Sequence, residues 1–147
     1  MLRPADQMDT RFLRDMLRHA YHWRMGDPDL PVYRYVKNWG RRGDAGVIAS
    51  AGPNAYGAAW YRLFPASAPG FGFVDEETPE LTIAVVPSQR GHGTGAELLE
   101  ALLEVARTDG FSRISLSAEP GQTGFYEQHG FRELRREDGT VTMVADL

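Results

Sequence analysis

Apolar residues recur at helical spacing near the start of the chain. Phe12, Leu13, Met16, Leu17 and Ala20 share one face, so a helix is predicted from Asp9 to about Trp23, with Asp9 or Thr10 capping its start. A short helix or turn is expected after Pro31, carrying Val32, Tyr35 and Val36, and Arg41 to Asp44 reads as a polar turn. The pattern then changes to strand-like runs. "AGVIASAG" (45–52) and "AYGAAWYRLF" (55–64) flank Pro53-Asn54 and read as an antiparallel hairpin. Residues 65–79 form a loop rich in Pro and Gly with the acidic run Asp75-Glu76-Glu77, and "ELTIAVV" (80–86) is a third strand. The clearest helix follows a glycine loop. Leu98, Leu99, Leu102, Val105 and Ala106 line one side of it, Glu97, Glu100, Glu104 and Arg107 the other, and Asp109-Gly110 closes it. "SRISLSA" then predicts a strand, "TGFYEQH" a short helix and "GTVTMVADL" a last strand.

Strand–helix–strand around the glycine loop implies one parallel crossover in an otherwise antiparallel sheet. The expected class is α+β: a mixed, mostly antiparallel sheet flanked by helices, in one domain spanning residues 1–147.

Composition narrows the function. The hydrophobic share is 42% and the charged share 24%, ordinary for a globular protein. Sixteen Lys and Arg against 20 Asp and Glu give a formal net charge of −4, which argues against nucleic acid as the partner. The absence of cysteine excludes disulfides, thiolate metal sites and cysteine nucleophiles, and no metal is expected. No stretch reaches the roughly 18 apolar residues of a membrane span, and the charged N-terminus lacks the apolar core of a signal peptide. The expected location is the cytoplasm, with no membrane partner.

The chemistry concentrates in "AVVPSQRGHGTGAELLEALL", Ala84 to Leu103. Glycines at 91, 93 and 95 allow positive φ and close approach of a ligand to the backbone, so successive N–H groups can point at one anion. The helix that starts there adds its dipole and its free N–H groups. A phosphate is the expected ligand. Gly91, Gly93 and Ala96 also satisfy the dinucleotide pattern G-x-G-x-x-[G/A]. That fold opens with a series of parallel repeats, however, and here one crossover lies late in the chain. The acid expected about 20 residues on has only Asp109 nearby, at the far end of the helix. Walker A fails because no Lys-Ser/Thr pair follows the loop.

With its flanks, "VVPSQRGHGTG" resembles the acetyl-CoA motif Arg/Gln-x-x-Gly-x-Gly/Ala of the GNAT family of N-acetyltransferases, filled by Arg90, Gly93 and Gly95. "FYEQHGF", Phe125 to Phe131, is similar to the tyrosine-helix segment of that family. The resemblance is tight over about 80–131. It implies an acetyl-CoA-dependent transfer of an acetyl group to a primary amine of a small molecule, amino acid or peptide. It implies that the backbone of Ala84, Val85 and Val86 pairs with the pantetheine arm where the parallel strands splay. The N–H groups of Gly91, His92, Gly93, Thr94, Gly95 and Ala96 would receive the pyrophosphate, with Arg90 as the local cation. Tyr126, beside the cofactor, is the candidate general acid for the leaving thiolate. An alkylammonium, with a pKa of about 10, must lose a proton before it attacks, and Glu80 and Glu119, at strand ends, are the candidate bases. A homodimer is a further expectation.

Many family members place an asparagine before the tyrosine helix. "SAEPGQTGFY" has none and is about two residues shorter, leaving Gln122 or Thr123 as substitutes. A domain that binds acyl-CoA without turning it over therefore remains an alternative. Tyr21, His22, Trp23, Tyr33, Tyr35, Trp60 and Tyr61 are candidate acceptor-lining residues, and alternation places Tyr56, Ala58, Trp60 and Arg62 on one strand face.

Overall fold

The computed structural model describes residues 1–21, 32–137 and 139–147. The described elements are β1 (Leu2–Pro4), α1 (Thr10–Ala20), β2 (Ala45–Ala51), β3 (Asn54–Arg62), β4 (Glu80–Val85), α2 (Thr94–Thr108), β5 (Arg113–Ala118), α3 (Thr123–Glu127), β6 (Arg132–Glu137) and β7 (Thr140–Asp146). The strands form one sheet in the order β1-β2-β3-β4-β5-β7-β6. Neighbours are antiparallel except β4 and β5, which run parallel on either side of the α2 crossover. The expected α+β architecture with one parallel crossover is the one found.

Apolar residues cover both faces of the sheet. Leu98, Leu99, Leu102, Leu103 and Ala106 of α2 pack on Ala49, Ala59, Leu81 and Val85 on one face. Leu13, Met16 and Leu17 of α1 pack on Ile48, Ala58, Trp60 and Ala84 on the other. Burial of these side chains is the main drive to this layering. Leu103 belongs to the buried stripe of α2, whereas Val105 is half-buried. The first helix begins one residue later than expected because a 3-10 turn, Gln7–Asp9, precedes it. Asp6 caps that turn, and Asp9 answers Asp6 in a capping box.

Two strands have no counterpart in the hydrophobic pattern. β1 has three residues, and β6, "RELRRE", is largely exposed at the sheet edge. The hairpin also turns one residue earlier than expected, at Gly52-Pro53, because Ala51 and Asn54 already pair. A bulge shifts the register between Ala49 and Ser50, so that Ala49 faces Gly57 and Ser50 faces Ala55. Tyr56 is the extra residue. It packs with the α2-side core, whereas Ala58 and Trp60 pack with the α1-side core, so the expected shared face starts only at Ala58. At the end of that strand Arg62 is 1% exposed. Its guanidinium forks onto Asp44 at 2.7 and 3.0 Å and donates to the carbonyls of Arg34 and Lys37. Asp44 also accepts from the N–H groups of Gly40 and Arg41, so this buried pair is fully hydrogen-bonded.

The crossover prepares the site. β4 and β5 are in register at one position, Glu80 opposite Ser115, and then diverge. Beyond it the edges of both strands open toward the glycine loop.

Candidate functional site

A cleft of about 460 Å³ occupies the gap between the diverging strands. Ile83, Ala84 and Val85 form one wall, and Ser117, Ala118 and Glu119 form the opposite wall. The glycine loop and the start of α2 close one end, Phe125 and Tyr126 of α3 stand over it, and His19 and Ala20 at the end of α1 border it.

Val86 donates its N–H to the Tyr56 carbonyl across the β3 side. Backbone groups alternate along a strand, so Ala84 also faces β3, and Ile83 and Val85 present theirs to the gap. The Val85 carbonyl is indeed reached from the cleft: Arg90 Nε donates to it at 3.0 Å. Of the expected Ala84, Val85 and Val86, Val85 thus turns its backbone groups to the gap, joined there by Ile83. The Val86 N–H is engaged within the sheet, and Ala84 contributes its side chain to the wall.

The loop has the form an anion needs. Gly91 and Gly93 hold φ of +85° and +79°, a region other residues resist, and no heavy atom lies within 4 Å of the place a Cβ would take at either. Glycine is required there by the backbone path and not by crowding. Gly93 is the N-cap of α2, without a side-chain cap, and the first intrahelical bond runs from Glu97 N–H to the Gly93 carbonyl. The N–H groups of Thr94, Gly95 and Ala96 are therefore left without intrahelical partners at the cleft. Gly91, Gly93, Thr94, Gly95, Ala96 and Arg90 all line it. His92 is exposed and outside the lining.

Tyr126 is half-buried, with ring contacts to Phe125 and Phe131 at 5.1 and 5.9 Å. Burial pushes its hydroxyl up to about 12, so it is a protonated phenol at neutral pH. That hydroxyl has no protein hydrogen-bond partner among the described residues. Glu119 sits directly on the wall. Gln122 also lines the cleft, whereas the Thr123 hydroxyl turns to the Pro120 carbonyl at 3.4 Å.

Glu80 lies elsewhere. It is 1% exposed, lies outside the cleft lining, and accepts from the Tyr35 hydroxyl and from the Gly72 N–H at 3.0 Å. Burial raises its carboxyl to about 7, against the lowering effect of those hydrogen bonds and of the Arg135 charge. Of the aromatic candidates, Tyr21, Tyr35 and Trp60 are buried on the α1 side of the sheet, and Tyr61 points to the other face, where it donates to Asp109 at 2.5 Å. His22, Trp23 and the Tyr33 side chain lie outside the described residues.

A sequence model of the acetyltransferase (GNAT) family matches residues 10–131. The chain belongs to that family. No curated protein matches it. Among solved structures, the GNAT domain of S. lividans PAT is 21% identical with a TM-score of 0.71, over 99% of this chain and 89% of that one. The PaiA N-acetyltransferase of Thermoplasma acidophilum, in complex with coenzyme A, is 13% identical with a TM-score of 0.69, over 100% and 98%. The putative acetyltransferase YncA of Salmonella typhimurium, with acetyl-CoA, is 18% identical with a TM-score of 0.68, over 100% and 93%. Likeness at these identities shows a shared GNAT fold. Among the described residues of this GNAT chain, no helix is long and apolar enough to cross a membrane, and no three His, Asp or Glu side chains are grouped to hold a metal.

The sequence reading missed Ile83, Ser117 and His19 as cleft residues. Period-two alternation narrows the choice on β4 to one of two sets, but only knowledge of which side β3 occupies selects Ile83 and Val85. Ser117 and His19 carry no local signal, because each reaches the cleft through tertiary packing.

Proposed function

We propose that the protein is an acetyl-CoA-dependent N-acetyltransferase acting on a primary amine of a small molecule, amino acid or peptide. The observation that carries this reading is the opening of the sheet directly in front of a glycine-rich helix N-terminus. An extended amide-bearing arm fits against Ile83 and Val85 as an added strand, and a pyrophosphate fits the N–H groups of Thr94, Gly95 and Ala96. Arg90, tethered to the Val85 carbonyl through Nε, has its terminal amino groups without another protein partner among the described residues, ready for phosphate oxygens.

The remaining groups suit acyl transfer. The Tyr126 hydroxyl is a neutral donor over the cleft, placed to protonate a departing thiolate. Glu119 puts a carboxylate on the wall where a cationic amine would arrive. Gln122 offers an amide on the same rim, in the stretch that lacks the family's asparagine.

Isothermal titration with acetyl-CoA, followed by thiol release across an amine panel, tests the proposal. Binding together with amine-dependent thiol release is expected. Binding without release with any amine would instead favour a non-catalytic acyl-CoA-binding domain, and absence of binding would sink both readings.

A further inference from the structure

The Val85 carbonyl stands where two donors compete for it. It faces the gap beyond the last β4–β5 pair, where the amide of a strand-like ligand arm needs an acceptor. Arg90 Nε already donates to it at 3.0 Å, the length of an ordinary sheet hydrogen bond. A tight reversal of the chain delivers the arginine to this place. β4 ends at Val85, and the 3-10 turn Pro87–Gln89 follows. Gln89 donates its N–H to the Val86 carbonyl at 2.9 Å, and Arg90 donates its own to the Pro87 carbonyl at 3.3 Å. Pro87 favours the turn, because its φ is fixed and it has no N–H to satisfy. Arg90 thus folds back along its own strand and takes the donor position of the missing neighbour. Among the described residues, no carboxylate pairs with its guanidinium.

We propose that Arg90 selects the acyl donor. Its bond to the Val85 carbonyl disfavours thioesters that lack a diphosphate, and a diphosphate seated at Thr94, Gly95 and Ala96 draws the guanidinium away and frees the carbonyl. This rests on the acetyl-CoA reading above. Two hydrogen bonds are exchanged. The carbonyl gives up Nε–H and takes an amide N–H of the arm. The guanidinium gives up a neutral carbonyl and takes an anionic oxygen, the stronger partner. A donor without phosphate completes only the first exchange. The carbonyl then trades a charge-assisted bond for a neutral one, and Arg90 is returned to water, so the arm gains little by pairing. The second exchange offsets that loss. The class admitted is therefore the thioester of a diphosphate-linked pantetheine, and the class disfavoured is the free acyl-pantetheine or simple thioester.

Arg90→Met and Arg90→Ala separate attraction of phosphate from competition for the carbonyl. Methionine keeps most of the apolar stem and has no donor, and alanine removes the stem as well. Calorimetric Kd values for S-acetylpantetheine and acetyl-dephospho-CoA would be measured for both variants and the wild type, with melting temperatures alongside. S-acetylpantetheine should bind both variants about three- to tenfold more tightly than the wild type, because its competitor for the carbonyl is gone. Acetyl-dephospho-CoA should bind them roughly three- to tenfold less tightly, still held by the N–H groups of α2. Changes of opposite sign are the signature. An arginine that only attracts phosphate leaves the affinity for S-acetylpantetheine unchanged. One that only braces the loop weakens both ligands and lowers the melting temperature. Either result overturns the selection while the acetyl-CoA reading stands. A wild type that binds neither acetyl-CoA nor acetyl-dephospho-CoA overturns that reading and the selection with it.

Discussion

Tyr126 illustrates how a single atom separates chemistry from packing. Its ring is held by Phe125 and Phe131, and its hydroxyl alone is free of protein partners among the described residues. Tyr126→Phe should leave melting temperature and acetyl-CoA affinity nearly unchanged. It should lower kcat by about 10²-fold or less, because a thiolate of pKa about 8.5 is already a tolerable leaving group. Unchanged kcat in a stopped assay with a true acceptor would assign the residue to packing. Glu80 makes a different prediction, about stability. Its folded carboxyl titrates near 7 against 4.5 for the free group, so between those values the folded protein binds more protons than the unfolded chain. Stability therefore falls as pH rises through that window, by up to about 3 kcal/mol once the carboxyl is fully ionised. Glu80→Gln should remove this slope and be the more stable form at pH 8, although not at pH 4. Urea midpoints at both pH values check this, and parallel pH profiles for the two proteins would refute it. The residue level was partly legible in the sequence. Arg90, Gly93 and Tyr126 announce themselves by motif, whereas the burial of Glu80 depends on Tyr35 and Gly72, which lie 45 and 8 residues away in the chain.

At the level of elements, the start of α2 carries the sharpest expectation. Gly93→Val puts a branched side chain on a backbone with φ of +79° and obstructs the approach to three free N–H groups. No neighbour lies within 4 Å of the new Cβ, so the fold should persist with a modest loss of stability, on the order of 1–2 kcal/mol. Affinity for acetyl-CoA should fall at least about tenfold, 1.4 kcal/mol or more. A calorimetric Kd like that of the parent would remove the anion role from this loop. α1, α2 and the central strands were visible in the sequence because each buries one face against the sheet, which imposes a period on its residues. β6 was not. Its six residues, "RELRRE", show no alternation, and they form a strand because the almost wholly buried β7 needs a second hydrogen-bonding neighbour. The Tyr56 bulge was equally hidden, since a change of register is a property of two strands together.

Across the whole molecule, the sheet is bounded by two edges that discourage growth. β1 is short and ends in Pro4, and β6 is charged and carries a bulge between Glu133 and Arg135. Both edges thereby discourage the addition of a further strand. The interior seam is the opposite case. β1 to β4 form one leaf and β5 to β7 another, and the leaves share one paired position, Glu80 with Ser115, below an open cleft. Each leaf is knitted by its own antiparallel ladders, so the seam is where backbone hydrogen bonding in the sheet is thinnest. Isotope exchange turns this into a measurement. The amide hydrogens of Ile83 and Val85 face the gap, while the Val86 amide is bonded to Tyr56. In deuterated buffer the first two should exchange far faster than Val86, although all three lie within four consecutive residues. With acetyl-CoA bound as the missing strand, all three should be protected and the two leaves should exchange as one cooperative unit.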